Sequence, residues 1–86
     1  MAGLLGIHIS THSVENGATI NITMGYGLLV VKNISAGKTS LYKIQAGYTE
    51  LIHGSENDIQ VAQVGEFEIS ITNNSGNRRT LWITMI

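Results

Sequence analysis

The chain has 86 residues, with five Lys plus Arg against six Asp plus Glu, for a formal net charge of −1. A charge this small produces no field that attracts nucleic acid or anionic lipid, so neither is expected as a partner. The absence of cysteine excludes disulfides and thiolate metal sites. No apolar run approaches the roughly 18 residues that span a bilayer, and the start of the chain lacks a signal peptide's basic segment. We therefore expect one soluble domain over residues 1–86, without membrane insertion.

The balance of apolar and charged residues is unusual for so short a chain. Hydrophobic residues make up 43% of the sequence and charged residues only 13%, whereas about a quarter of an average chain is charged. A domain of this size has too little interior to bury so many apolar side chains. A subunit interface would cover the remainder, so the composition predicts a homo-oligomer.

Short alternating runs of apolar and polar residues follow one another along the chain, separated by turns rich in Gly, Asn and Ser. Alternation is the period of a strand with one buried face, as in the run where Phe67, Ile69 and Ile71 share one side. The predicted strands are residues 5–10, 18–23, 27–33, 39–45, 48–52, 59–63, 66–72 and 80–85. About eight strands with no helical period predict an all-β fold, a small antiparallel, jelly-roll-like β-sandwich.

The alternation of apolar and polar residues also predicts which side chains form the core, and it leaves some apolar residues outside it. The predicted core positions are Ile7, Ile9, Ile20, Ile22, Leu41, Leu51, Ile59, Val61, Phe67, Ile69, Ile71, Leu81 and Ile83. Residues 28–31 are all apolar, which is typical of a strand covered on both faces, by a loop of the same chain or by another subunit. In the last strand, Trp82 and Ile86 point away from the predicted core. The candidate subunit-interface residues are therefore Leu28, Val30, Trp82 and Ile86.

One short motif resembles a phosphate-binding loop. Residues 35–39 end in Gly-Lys-Thr, but the glycine required five positions before Gly37 is Lys32. An alternating strand follows the motif, where a phosphate-binding loop needs a helix N-terminus. The segment is better interpreted as a hairpin turn with Gly37 in a left-handed conformation, and no nucleotide cofactor is expected.

Histidines and carboxylates do not form a convincing catalytic or metal set. His8 and His12 would lie about 13 Å apart in a strand, so one subunit cannot use both on one ion. A metal held by three copies of one of them on a three-fold axis stays open, beside a purely polar role. His53, Ser55 and Asp58 crowd one turn but lack the flanking glycine of a nucleophile elbow. We expect no enzyme activity, metal or cofactor.

Two acidic pairs have simple interpretations. Glu66 and Glu68 lie on the same strand face, where two carboxylates do not flank a bond, so they are interpreted as solvated residues. Glu56 and Asp58 bring too few oxygen ligands for calcium.

The five aromatic residues raise the question of a glycan ligand. Aromatic faces stack on sugar rings, so Tyr48 in a turn and Trp82 on the surface are candidate ligand-binding residues, together with His53. Structural use of so few aromatic residues is the simpler alternative.

Residues 27–86 carry a resemblance to a known kind of domain. The points of likeness are GLLVVKN at 27–33, LYKI at 41–44, TELIHG at 49–54, FEISITNN at 67–74 and LWIT at 81–84. In hairpin order and strand character this stretch resembles the compact β domain at the tips of bacteriophage tail fibres and of related virion surface proteins. The resemblance implies a trimer around a strand-lined axis, other virion proteins as partners, and a host-surface glycan as a further partner.

The resemblance implies a function and a location. The expectation is a non-enzymatic phage virion structural protein, a homotrimeric surface knob that decorates the capsid or acts as a tail-associated receptor-binding protein. Because no fibre shaft precedes the domain, a free-standing knob is expected, made in the host cytoplasm and located on the virion. The alternative is a small stand-alone carbohydrate-binding, lectin-like module that uses Trp82 and the turn tyrosines.

Overall fold

The computed structural model describes residues 8–54 and 58–86. These residues form eight strands: β1 His8–Val14, β2 Thr19–Thr23, β3 Tyr26–Asn33, β4 Lys38–Gln45, β5 Tyr48–His53, β6 Ile59–Gly65, β7 Glu68–Asn73 and β8 Arg79–Met85. One sheet has five strands in the order β1-β8-β3-β4-β5, and the other has three in the order β2-β7-β6. All pairings are antiparallel. The prediction of an all-β sandwich of about eight strands is confirmed.

The two outermost strand pairs are nested, as in a jelly roll, whereas β3 pairs with β8 and β4. The first strand pairs with the last in one sheet, and the second pairs with the second-to-last in the other. The connections gather at two ends of the sandwich. The glycine end consists of residues 24–26, 46–47 and 65–67, and the asparagine end consists of residues 15–18, 34–37 and 74–78.

The core lies between the two sheets. Its buried hydrophobic residues are Val14, Met24, Leu29, Val31, Tyr42, Ile44, Ile59, Val61, Ile69, Ile71, Leu81 and Ile83. Six of the predicted core residues are among them, which confirms the alternation in the last three strands. Ile20 and Ile22 are half-buried and pack against this cluster. Each face of the sandwich therefore presents every second residue of its strands to solvent.

The first strand differs from its prediction. It runs over His8–Val14 instead of residues 5–10, and its register places His12 opposite the buried Leu81. Successive side chains alternate, so Val14 points inward and is buried, whereas Ile9 points outward and is largely exposed. The assignment of Ile9 to the core was wrong because β1 is an edge strand held by the buried Val14. The predicted core residue Ile7 lies outside the described residues.

Three further core assignments were wrong. Phe67 is largely exposed because β7 begins only at Glu68, after a register shift in the β6–β7 hairpin. Leu41 is half-buried and points away from the core, because its neighbour Tyr42 takes the inward-facing position on β4. Leu51 is exposed because β5 is the edge of the wider sheet, beyond full cover by the three-stranded one.

The asparagine end is organised around a buried side chain, Asn73. Its Nδ2 donates to the carbonyl oxygens of Val14 and Asn77, both at 2.8 Å. Its Oδ1 accepts from the backbone N–H of Ser75 at 2.9 Å. Asn73 is fully buried, so each of these bonds replaces contact with water. One amide therefore ties the end of β1 to the β7–β8 connection.

The glycine end is held by contacts between backbones. The N–H of Gly47 donates to the carbonyl of Gly25 at 3.1 Å. Gly47 has a φ of 78°, and a Cβ on it would overlap the carbonyl oxygen of Gly65. Gln63 Nε2 donates to the carbonyl of Ala46 at 3.0 Å. These contacts close the sandwich on the side where β5 and β6 meet.

Candidate functional site

The candidate site lies on the outer face, the side of the five-stranded sheet that is turned away from the three-stranded sheet. Alternation along β3 points Leu29 and Val31 into the core and leaves Leu28 and Val30 on the outer face. In β8 the same alternation places Trp82 outward between two buried neighbours. The continuous apolar runs of these strands thus supply the core and an apolar outer surface at once.

Cross-strand registers bring the outward apolar residues together. The outer-face patch consists of Ile9, Leu28, Val30, Leu41, Trp82 and Ile86. Val30 lies opposite Leu41 on β4 and opposite Thr84 on β8, which in turn faces Ile9 on β1. Leu28 and Ile86 exchange two backbone hydrogen bonds, at 3.1 and 2.9 Å. The patch therefore extends from β1 to β4, with Thr84 among its apolar members.

The patch is exposed to solvent. Leu28 is 41% exposed, Trp82 47% and Ile86 53%. The Nζ of Lys32 lies 5.4 Å from the centre of the Trp82 ring, a cation–π contact that contributes about 0.5–1 kcal/mol at an exposed site. Lys32 and Thr11, which lies opposite Trp82 on β1, form a polar margin beside the ring. The surface thus has an apolar centre with a polar border.

A second group of residues occupies the outer face at the glycine end. The tyrosine row consists of Tyr26, Gln45 and Tyr48, which lie opposite one another on β3, β4 and β5. Tyr26 is 61% exposed and Tyr48 is 67% exposed. Their Cα atoms are two strand spacings, about 10 Å, apart. Tyr48 was predicted from the sequence as a ligand-binding residue, whereas Tyr26 and Gln45 were not, because only the register of three strands brings them together.

The three predicted ligand-binding residues do not share a site. Tyr48 begins β5 at the glycine end, whereas His53 ends the same strand at the other end of the sheet, opposite Leu41. Trp82 lies on β8, which is separated from β5 by two strands. The four predicted interface residues, by contrast, all lie in the outer-face patch.

The segments considered for metal and nucleotide chemistry have structural explanations. His12 Nε2 and Ser10 Oγ lie 2.9 Å apart on the inward side of β1. Among residues 8–54 and 58–86, no group of three or more His, Asp or Glu side chains is arranged to hold a metal ion. Gly37 ends the β3–β4 turn with a φ of 69°, and Lys38 and Thr39 begin β4, as the hairpin interpretation predicted.

A small pocket opens at the asparagine end. It is lined by Val31, Asn33, Lys38, Ser40, Tyr42, Asp58 and Ile59. Lys38 Nζ and Asp58 Oδ2 lie 3.9 Å apart, and both side chains are well exposed, so the pair contributes little to stability. The pocket has room for about one water molecule. It does not offer space for an organic substrate.

No protein-family model, curated protein sequence or solved structure matches the chain. In the part of the chain that the structure describes, no helix has the length and apolar character needed to cross a bilayer. The function of the protein must therefore be inferred from its own surface.

Proposed function

We propose that the chain is a non-enzymatic structural protein of a phage virion surface, where it forms a homotrimeric knob by burying its outer-face patch against neighbouring copies. The observation that carries the proposal is the patch itself. Contiguous apolar surface that is bordered by polar residues is typical of protein–protein contacts and is rare on monomers. The resemblance of residues 27–86 to tail-fibre tip domains supports the virion setting.

The dimensions of the outer face set the area that its subunit contacts share. Five strands spaced by about 4.8 Å, with seven residues rising about 3.3 Å each, form a face of roughly 24 by 23 Å. That is a projected area of about 550 Å², to which the relief of the side chains adds. Standard interfaces bury about 800 Å² per partner, with an apolar core and a polar rim. The patch, which does not include the tyrosine row, has this apolar core and polar rim, and its area is shared between the two contacts that each copy makes in a ring.

The extent of the patch supports a closed ring. The Ile9 and Trp82 side of the patch lies on β1 and β8, and the Leu41 side lies on β4. In a three-fold assembly the first side of one copy meets the second side of the next, and the third contact closes the ring. The apolar surface is then buried around the axis in every copy. The asparagine end, rich in hydrogen-bonded polar side chains, stays in water.

Leu28→Glu is expected to convert the trimer into monomers. The substitution places a carboxylate on the buried outer face, and although Lys43 lies opposite this position, taking a charged group out of water costs several kcal/mol per subunit. Native mass spectrometry and sedimentation velocity measure the change. The matched control is Asn21→Glu, which adds the same charge to an exposed position in β2 of the other sheet.

The same variants provide the result that would contradict the proposal. A trimer that persists in Leu28→Glu, with an unchanged circular dichroism spectrum, places the subunit contact elsewhere. If Asn21→Glu dissociates the trimer to the same extent, the added charge alone explains the effect of Leu28→Glu. Copies of the wild-type chain in symmetric register on a virion, on the capsid or the tail, would support the virion setting directly.

The second candidate function is a stand-alone carbohydrate-binding module. The observation that favours it is the tyrosine row, because two exposed aromatic rings flank an amide on one face. A glycan-binding protein that remains a 9.3 kDa monomer would favour this candidate over the knob.

A further inference from the structure

We infer that the tyrosine row is a glycan-binding site, in which Tyr26 and Tyr48 contact two sugar units of one oligosaccharide and Gln45 bonds the hydroxyls of the unit between them. As a glycan site it depends only on the geometry of the single chain. As a receptor site for host-surface glycan it rests on the proposed function.

The spacing of the two rings carries the inference. Tyr26 and Tyr48 each begin a strand, and both lie opposite Gln45 on the strand between them. Alternation points all three side chains to the outer face. Rings on strands about 10 Å apart can contact two units of one oligosaccharide that are separated by a third, whereas a single ring cannot hold a chain in register. Each tyrosine offers an apolar ring face and a hydroxyl.

The polar groups around the rings suit the hydroxyls of a sugar. The Gln45 side chain makes no hydrogen bond within the part of the chain that the structure describes. In the next row, Lys43 lies opposite Glu50, and the ion pairs among the described residues, Lys38–Asp58 and Arg78–Glu15, do not include them. An amide, an ammonium and a carboxylate together supply donors and acceptors. Sugars present apolar ring faces and hydroxyl edges, which is the complementary pattern.

The row is preorganised by the backbone beneath it. Gly25 and Gly47 directly precede the two tyrosines, and the Gly47 N–H donates to the Gly25 carbonyl at 3.1 Å. The Ala46 carbonyl is bonded by Gln63 from the other sheet. The two rings therefore project from turns that are cross-linked to each other and to the opposite sheet. A site that is already in place loses little conformational entropy when its ligand binds.

The test measures oligosaccharide binding per site in solution. A panel of hexasaccharides with different linkages, namely the β-1,4-linked glucose and N-acetylglucosamine hexamers and the α-1,4- and α-1,6-linked glucose hexamers, is titrated by calorimetry. At least one hexamer is expected to bind, and its disaccharide is expected to bind more weakly. Tyr26→Ala and Tyr48→Ala are each expected to lower the association constant about tenfold, and the double variant to abolish binding.

Two further variants make the test specific. Tyr48→Phe keeps the ring and is expected to retain most of the affinity. Thr39→Ala removes an exposed hydroxyl at the other end of β4, the strand that carries Gln45, and is expected to leave the affinity unchanged. Circular dichroism melts confirm that each variant is folded.

Three outcomes overturn the inference: wild type binding none of the hexamers, Thr39→Ala losing as much affinity as Tyr48→Ala, or the tyrosine variants dissociating the assembly without affecting hexamer binding. The last outcome assigns the row to the subunit contact. A wild-type trimer that binds no hexamer contradicts the glycan site and leaves the proposal of a trimeric knob standing. A wild-type monomer that binds a hexamer supports the glycan site and contradicts the trimeric knob.

Discussion

Gly47→Ala is expected to lower the free energy of unfolding by about 3–4 kcal/mol, one of the largest effects available to a single methyl group in this chain. Gly47 has a φ of 78°, a conformation that costs an L-residue about 1–2 kcal/mol. The added Cβ would also overlap the carbonyl oxygen of Gly65. That contact joins two backbones, so the overlap can be relieved only by opening the glycine end where the two sheets meet.

Gly37→Ala is the matched control, because it has the cost of the left-handed backbone conformation without the overlap with another backbone. Gly37 has a φ of 69°, and its Cβ would meet nothing within 4 Å. We expect it to lower the free energy of unfolding by only about 1 kcal/mol. Urea unfolding followed by circular dichroism, at one fixed protein concentration, gives both values. Equal losses in the two variants would show that backbone conformation alone matters and that the glycine end is not tightly closed.

Asn73→Asp is expected to lower the free energy of unfolding by about 3 kcal/mol. The wild-type Nδ2 donates to the carbonyls of Val14 and Asn77. The substitution replaces this donor by an oxygen, so it sets acceptor against acceptor and leaves a buried carboxylate without a donor on that side. Unsatisfied buried groups cost about 1–3 kcal/mol each, and charged ones more.

Asn74→Asp is the neighbouring control for this position. Asn74 is exposed, and its Nδ2 donates to Gln60 Oε1 at 2.9 Å. Water can replace that bond, so we expect a loss of well under 1 kcal/mol. Urea unfolding at neutral pH measures both variants. A loss at Asn73 no larger than that at Asn74 would mean that Asn73 does not hold the two connections together.

The parts of the fold that the sequence predicted well are strands whose alternation is uninterrupted. In β7, Ile69 and Ile71 alternate with polar residues, and in β6, Ile59 and Val61 lie on either side of Gln60. Their burial follows directly from a period of two. Where apolar residues stand side by side, as at Leu41 and Tyr42, the period does not say which one faces the core, and the assignment was wrong.

The first strand could not be located from its composition. Its sequence, HISTHSV, has no apolar alternation, and its place in the sheet is set by pairing with β8 and by the burial of Val14. Edge strands have one neighbour, so their residues carry less of the pattern that marks a core strand. Ile9 was therefore assigned to the core although it lies on the outer face.

The two parts of the candidate site differ in how far the sequence could predict them. Leu28, Val30 and Trp82 were singled out because they are apolar residues left over after the core is assigned, a property of single strands. The tyrosine row depends instead on the registers of β3, β4 and β5. Register is set by turn geometry and by the packing of the whole sheet, so Tyr26 and Gln45 carried no signal on their own.

The mass of the native assembly tests the central claim most directly, because an exposed outer-face patch has to be covered if it serves as a subunit contact. Native mass spectrometry at micromolar concentration is expected to give about 28 kDa, three times the mass of the 9.3 kDa chain. A stable species of 9.3 kDa under the same conditions would contradict the account.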